Sequence, residues 1–249
     1  MNAKRPFKET EDAPPRLSIV IPALNEERYL PRLLASIVRQ TFRNFEVIVS
    51  DASSTDRTRE IAEAAGCQVT VGPTAGPACA RNLGARLARG DVLLFLDADV
   101  VLPTPQFLER TLAEFSRRDL AVATCLARPY EATLLFNTLF GLAMVLMRML
   151  RWIQPRAPGW AIFARREGHE KIGGFDETPA LGEDHDYAAR MRRHGPYGIL
   201  RSGHVLVSTR RFQKEGVLRT LATYALFEVL RPIRRLRFDE VHYRFGKHD

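Results

Sequence analysis

The sequence predicts an α/β fold, a mostly parallel sheet flanked by helices, and three observations carry that prediction. Short apolar segments alternate with amphipathic ones through the first half of the chain. Their spacing matches strand–helix units, and a crossover helix is what parallel pairing needs. The apolar segments also run into polar, partly acidic loops, and ligands of open α/β sheets bind beyond the carboxyl ends of the strands. A chain of 249 residues suits one large domain or one domain with an appendage.

The elements follow in order. Residues 1–16 are charged and contain proline, with no apolar stretch of the signal-peptide kind, and read as a flexible tail. Leu17 to Ile21 is a short apolar strand ended by Pro22. Asn25 and Glu26 open a helical pattern with Leu30, Leu33, Leu34, Ile37 and Val38 on one face. Phe45 to Val49 is a second strand. Ser53, Ser54 and Thr55 are candidate caps for a helix from about Asp56 that Gly66 ends. Gln68 to Val71 reads as a third strand, and Ala78 to Ala88 as a helix closed by Gly90. Val92 to Leu96 is a buried strand that delivers Asp97-Ala98-Asp99. Pro105 starts another helix, and Ala121 to Leu126 is a further strand.

The second half changes character. Residues 132–147 carry no charge, and Arg148, Arg151 and Trp152 follow at once. The segment is short for a transmembrane span, which needs about 20 residues. Over 132–153 it reads as an interfacial helix with a basic edge, or equally as a core or dimer helix. A helix is also expected over Tyr187 to Arg193, behind Glu183-Asp184, and a strand over Val205 to Val207. Residues 213–249 read as amphipathic basic helices that either lie on a membrane surface or pack on the sheet. Residues 17–212 are left as the main domain.

Composition narrows the partners. Three scattered cysteines, with no CxxC spacing, argue for a reduced compartment and against a zinc site, so a cytoplasmic location is the default. A formal net charge of +8 suits nucleic acid, an anionic membrane face or a phosphorylated substrate. There is no GxGxxG after the first strand and no Walker A lysine, which argues against nicotinamide and P-loop chemistry.

Three polar groups fall at one rim: Pro22-Ala23-Leu24-Asn25-Glu26, Ser50 to Asp56, and Asp97-Ala98-Asp99. Two carboxylates one residue apart at a strand end repel each other and are partly desolvated. A divalent cation removes that cost, and the plainer alternative is that one aspartate caps the next helix.

In this order, these segments resemble the family-2 glycosyltransferases of the GT-A fold, the Rossmann-like nucleotide-diphospho-sugar transferases. The matching residues are Ser18 to Glu26, Val49 to Thr58, Gly76 to Asn82, Leu96 to Asp99, Gly173 to Asp176 and Glu183 to Tyr187. The resemblance implies a nucleotide-sugar donor, with Pro22, Ala23, Leu24, Glu26 and Ala98 lining the nucleotide pocket. Asp51 would accept from the base, and Arg81 would hold this edge or meet a diphosphate oxygen. Asp97 would approach the ribose or a metal, and Asp99 would ligate Mn²⁺ or Mg²⁺. Asp184, with Glu183, would be the base that deprotonates an acceptor hydroxyl, giving inversion. Arg210 and Arg211 suit phosphate or acceptor recognition. His204 is a further candidate metal ligand.

The basic, apolar second half resembles the dolichyl- and polyprenyl-phosphate mannose synthases, although here no transmembrane helices follow and Val101, two residues past Asp99, has no ligating side chain. GDP-mannose is then the leading donor, ahead of UDP-glucose, and a lipid phosphate or saccharide is the acceptor. The expected location is peripheral, on the cytoplasmic face of an anionic membrane, with a homodimer as an option and no nucleic acid. Two other readings stand beside this one. Asp97 to Val101 matches the DxDxV nucleophile loop of haloacid-dehalogenase-type phosphatases. The positive charge alone also fits a non-catalytic module that binds membrane or nucleic acid.

Overall fold

The sheet is organised around β1 (Leu17–Ala23), whose seven residues are all buried. Leu17, Ile19 and Ile21 belong to one core cluster and Val20 to another, as the two-residue period of a strand covered on both faces requires. The computed structural model describes residues 7, 14–131, 133–151, 155–178, 182–217 and 219–220.

Beside β1 lie β2 (Phe45–Asp51) and, beyond it, β3 (Gln68–Val71), with β4 (Val92–Phe95) on the other side, all parallel. The connecting helices are α1 (Leu30–Val38), α2 (Thr58–Ala65) and α3 (Pro77–Ala85). The chain continues through β5 (Val100–Val101), α4 (Phe107–Arg117), β6 (Val122–Pro129), α5 (Leu134–Leu150) and β7 (Ile162–Arg165). After these come α6 (Arg166–Lys171), α7 (Glu183–Met191), a 3₁₀ turn over Arg192–His194, β8 (Tyr197–Val207) and α8 (Arg210–Glu215). The eight strands form one sheet in the order β3-β2-β1-β4-β7-β6-β8-β5. β6 and β8 pair in parallel, while β7 runs antiparallel to both β4 and β6, and β5 antiparallel to β8.

Several sequence expectations shift. The first helix begins at Leu30, not at Asn25, because Asn25 has φ 56° and the chain turns before Pro31 can start a helix. Ser53, Ser54 and Thr55 do not cap α2; Ser53 Oγ donates to Gly72 O, just past β3, at 2.8 Å, while Ser54 and Thr55 stitch their loop to the one after β1. Ser54 Oγ accepts from Asn25 N–H at 2.9 Å, and Asn25 Oδ1 accepts from Thr55 N–H at 2.9 Å. Glu183 is the first residue of α7, which starts four residues earlier than Tyr187. β5 and β7 lie outside the expected elements. The expected helices over 213–249 fall almost wholly outside the described residues.

α5 is not a core helix. Phe136 and Met147 are buried, but Leu134 is 86% exposed, Met149 70% and Leu142 68%. Phe136 and Phe140 pack on Phe212 of α8, with ring centroids 5.7 and 6.2 Å away. Among the described residues, no helix is long and apolar enough to cross a membrane.

Candidate functional site

The ends of β1, β2 and β4 bring the three polar groups to one rim, as their register requires. Pro22 lies beside Ser50 and Ala23 beside Asp51, while Ala52 N–H donates to Ala23 O at 2.8 Å. Leu24, Ala52 and Ala98 are buried beneath the rim. Asp51 is fully buried and accepts from Ser54 N–H at 3.1 Å, with Arg59 Nη2 3.5 Å away. Its loop therefore uses part of its accepting capacity.

Two arginines organise the carboxylates. Arg81, on α3, is 3% exposed. Its Nη2 lies 2.9 Å from Asp97 Oδ1 and its Nη1 2.8 Å from Glu183 Oε1, so one guanidinium ties the end of β4 to the first turn of α7. Burial works against the Arg81 charge, but Asp97 and Glu183 outweigh it and hold the group protonated. The guanidinium carbon also sits 5.3 Å from the Phe175 ring centroid. α3 can approach the sheet here because position 84, one turn along, is glycine. A Cβ on Gly84 would lie 2.5 Å from Val20 Cγ1 and 3.3 Å from Ser50 Cβ.

The second organiser is Arg210, the first residue of α8. It forks onto Glu26, with Nη1–Oε2 and Nη2–Oε1 both 2.8 Å, and places Nε 3.0 Å from Asp99 Oδ2. Its guanidinium carbon lies 4.5 Å from the Tyr29 ring centroid. Arg210 thus lies at the Asp99 rim, with its fork spent on Glu26. Arg211 follows it on α8. Burial, with Asp97 and Glu26 adding to it, pushes the Asp99 carboxyl up to about 6 against the pull of Arg210.

Glu183 and Asp184 separate electrostatically. Burial first, then the neighbouring Asp184 charge, pushes Glu183 up although Arg81 opposes. Burial pushes Asp184 up too, but His185 and Arg81 outweigh it and hold it well below the ordinary range. His185 Nδ1 lies 2.8 Å from Asp184 Oδ1, and Gly159 N–H donates to Asp184 Oδ2 at 2.9 Å. Asp184 is therefore ionised at neutral pH and 16% exposed.

Gly159 escaped the sequence reading. A Cβ there would collide with Arg81 Nη2 and lie 2.9 Å from Asp97 Oδ2, so the backbone before β7 seals the gap between the aspartates and α7. Pro158-Gly159 carries only a turn signal in sequence.

The donor set suits a hard cation. Arg81 engages Asp97 Oδ1 and Arg210 engages Asp99 Oδ2, leaving Asp97 Oδ2 and Asp99 Oδ1 as candidate oxygen ligands. Among the described residues, no three His, Cys, Asp or Glu side chains converge. His204, on β8 beside Leu126, therefore does not join the two aspartates.

Comparison with known proteins fits this geometry. The family model described as "Glycosyl transferase family 2" matches residues 18–173. The "PGL/p-HBAD biosynthesis glycosyltransferase" of Mycobacterium bovis is 33% identical over 206 residues, 79% of this chain and 77% of that protein. The "4,4'-diaponeurosporenoate glycosyltransferase" of Staphylococcus haemolyticus is 41% identical over 109 residues, 41% of this chain. The match spans only 29% of that protein. Among solved structures, the mannosyltransferase PcManGT of Pyrobaculum calidifontis, in complex with GDP-Man and Mn²⁺, superposes with a TM-score of 0.65 at 23% identity. The superposition covers 90% of this chain and 69% of that one. S. aureus TarS 1-349 in complex with UDP gives a TM-score of 0.62 at 22% identity, covering 85% of this chain and 65% of that one.

Proposed function

The chain belongs to glycosyltransferase family 2 and has the GT-A fold, and from that premise we propose that it moves a hexose from a nucleotide-sugar donor with inversion at the anomeric carbon. Membership sets aside the phosphatase and the non-catalytic module. Mannose from GDP-mannose is the preferred donor, with UDP-glucose next. The acceptor is a lipid phosphate or a saccharide hydroxyl. The basic, apolar second half and the likeness to a mannosyltransferase fold favour mannose and lipid.

The observation that carries this reading is the Asp97–Arg81–Glu183 bridge, which couples the donor rim to the helix that bears Asp184. The base of the donor nucleotide meets Asp51, and Pro22, Ala23 and Leu24 floor its pocket. Asp97 and Asp99 would hold Mn²⁺ or Mg²⁺, which would supply neutralisation of the charge on the leaving nucleoside diphosphate. Asp184, kept ionised by His185 and the Gly159 amide, takes the proton of a hydroxyl acceptor. A lipid phosphate arrives already ionised and needs no base. Glu183 positions Arg81, and Arg210 with Arg211 supplies positive charge where phosphate groups approach. The exposed apolar edge of α5, followed by Arg148 and Arg151, lies on an anionic membrane on its cytoplasmic side.

Calorimetric titration with GDP-mannose, UDP-glucose and UDP-N-acetylglucosamine, each with and without Mn²⁺, tests the reading. One donor should bind more tightly with metal, and Asp99→Asn should remove that gain. No metal-enhanced binding of any donor in the wild-type protein would sink it.

A further inference from the structure

A second cleft lies away from the aspartate rim. It has a volume of about 530 Å³, within the range of small-ligand sites. Arg118, Arg151, Arg192, Arg193 and Arg201 line it, with Tyr197 and the neighbouring Gly195 and Gly198. Tyr197 starts β8 and pairs with Val122 at the start of β6. Val122 in turn is level with Ala164, and Ala164 with Leu93 near the start of β4. Asp97 lies past the opposite end of β4. The cleft and the donor rim therefore lie at opposite ends of β4.

Among the described residues that line the cleft, none is acidic. The nearby Glu114 is already committed: Oε1 takes Arg118 Nη1 at 2.8 Å, and Oε2 takes the Arg201 and Ser202 amides, both at 2.8 Å. Arg118 Nη1 also donates to Ile199 O at 2.9 Å, and a Cβ on Gly198 would lie 2.9 Å from Arg118 Nη2. Arg118 is thus built into the wall, while Arg193 and Arg201 are exposed on the surface. Guanidinium forks concentrated in a concave site match the oxygens of a phosphate ester.

The position of the cleft identifies where that phosphate comes from. α5 packs on α8 through Phe136 and Phe140 at its first half and delivers Arg151 to the cleft just after Leu150. The helix is roughly 25 Å long, so its exposed leucines and methionine connect the donor side of the molecule to the arginine cleft. We propose that the cleft is a headgroup site for an anionic phospholipid, filled when α5 lies on the membrane. The inference rests on the membrane placement of α5 proposed above and adds a specific anion-binding site to it.

Vesicle flotation at low ionic strength tests it, with phosphatidylcholine alone or mixed with phosphatidic acid. The wild-type protein should bind the mixed vesicles at least tenfold more tightly. Arg193→Gln with Arg201→Gln should lose at least about tenfold of that preference, with donor titrations unchanged. A control, Arg39→Gln with Arg43→Gln, removes the same charge at exposed positions that do not line the cleft and should keep the preference. The proposal is overturned if the cleft variant keeps the preference, or if the control loses as much. Binding of soluble glycerol 3-phosphate in the cleft, without preference for mixed vesicles, would also overturn it. Leu142→Ser with Met149→Ser separates the premise from the inference. If that variant floats as wild type while the cleft variant does not, the placement of α5 fails and the headgroup site stands.

Discussion

Arg81 holds together two carboxylates, Asp97 and Glu183, that would otherwise repel each other across the candidate site. Charges buried as deeply as this are costly when one partner is removed, by about 3–5 kcal/mol. Arg81→Met should therefore lower the unfolding free energy by roughly that amount, read from urea midpoints at constant slope. Adding Glu183→Gln should restore a large part of the loss, because it removes the buried one of the two carboxylates left unpaired, whereas Asp97, 39% exposed, keeps part of its hydration. If the double variant is no more stable than Arg81→Met, the ion pair is not what Arg81 contributes. In the sequence Arg81 was visible only through its motif. Its partner Glu183 lies 102 residues away, and nothing local announces a contact at that separation. The Arg210–Glu26 fork, 184 residues apart, was hidden for the same reason.

Among the elements, α3 carries the tightest constraint. Gly84 lets it sit against β1 and β2, and one turn earlier the same helix presents Arg81. A methyl group at position 84 has to displace Val20 or the helix itself. Gly84→Ala should cost about 1–3 kcal/mol, although alanine is the better helix former. It should also depress turnover by moving Arg81. A stability equal to or above wild type in chemical denaturation would show that the contact yields freely. β1 to β4, β6 and α1 to α4 were legible in sequence, as apolar runs alternating with amphipathic segments. β5 is two residues long, too short to register, and β7 is a four-residue run that no strand–helix alternation announced. The apolar composition of α5 was plain, but composition does not say which face meets the core.

For the molecule as a whole, acid is the informative stress. Burial, aided by Arg190, pulls the His169 imidazole down to about 4 from 6.5. The unfolded chain thus binds the extra proton first, and stability present above pH 6.5 is lost as pH falls towards 4, by up to roughly 3 kcal/mol. Asp99 works in the opposite direction. Its folded carboxyl titrates near 6 against an unfolded value of 3.8, so its ionised form costs stability above pH 6 and that cost is relieved as pH falls. The two effects offset each other over one window. Asp99→Asn should therefore lose stability more steeply than wild type between pH 6.5 and 4, measured by denaturant midpoints at each pH. Equal slopes would refute the opposing roles. The overall architecture was readable because strand–helix alternation is a local signal repeated along the chain. The antiparallel insertion of β7 between β4 and β6 was not, since it depends on which strand edges remain free after the first four are placed.

That insertion has a consequence for the order in which the protein can assemble during synthesis. β3, β2, β1 and β4 come from one continuous stretch of chain, so the nucleotide half can close while the remainder is still being made. β4 then presents an unpaired edge until β7 emerges to cover it. β8 and Arg210 come later still, and with them the neutralising partner of Glu26 and Asp99. A nascent chain therefore carries an open strand edge and an unpaired Glu26 and Asp99 together; translation through α5 to β7 determines how long the edge persists, and translation through β8 to Arg210 how long the two carboxylates wait.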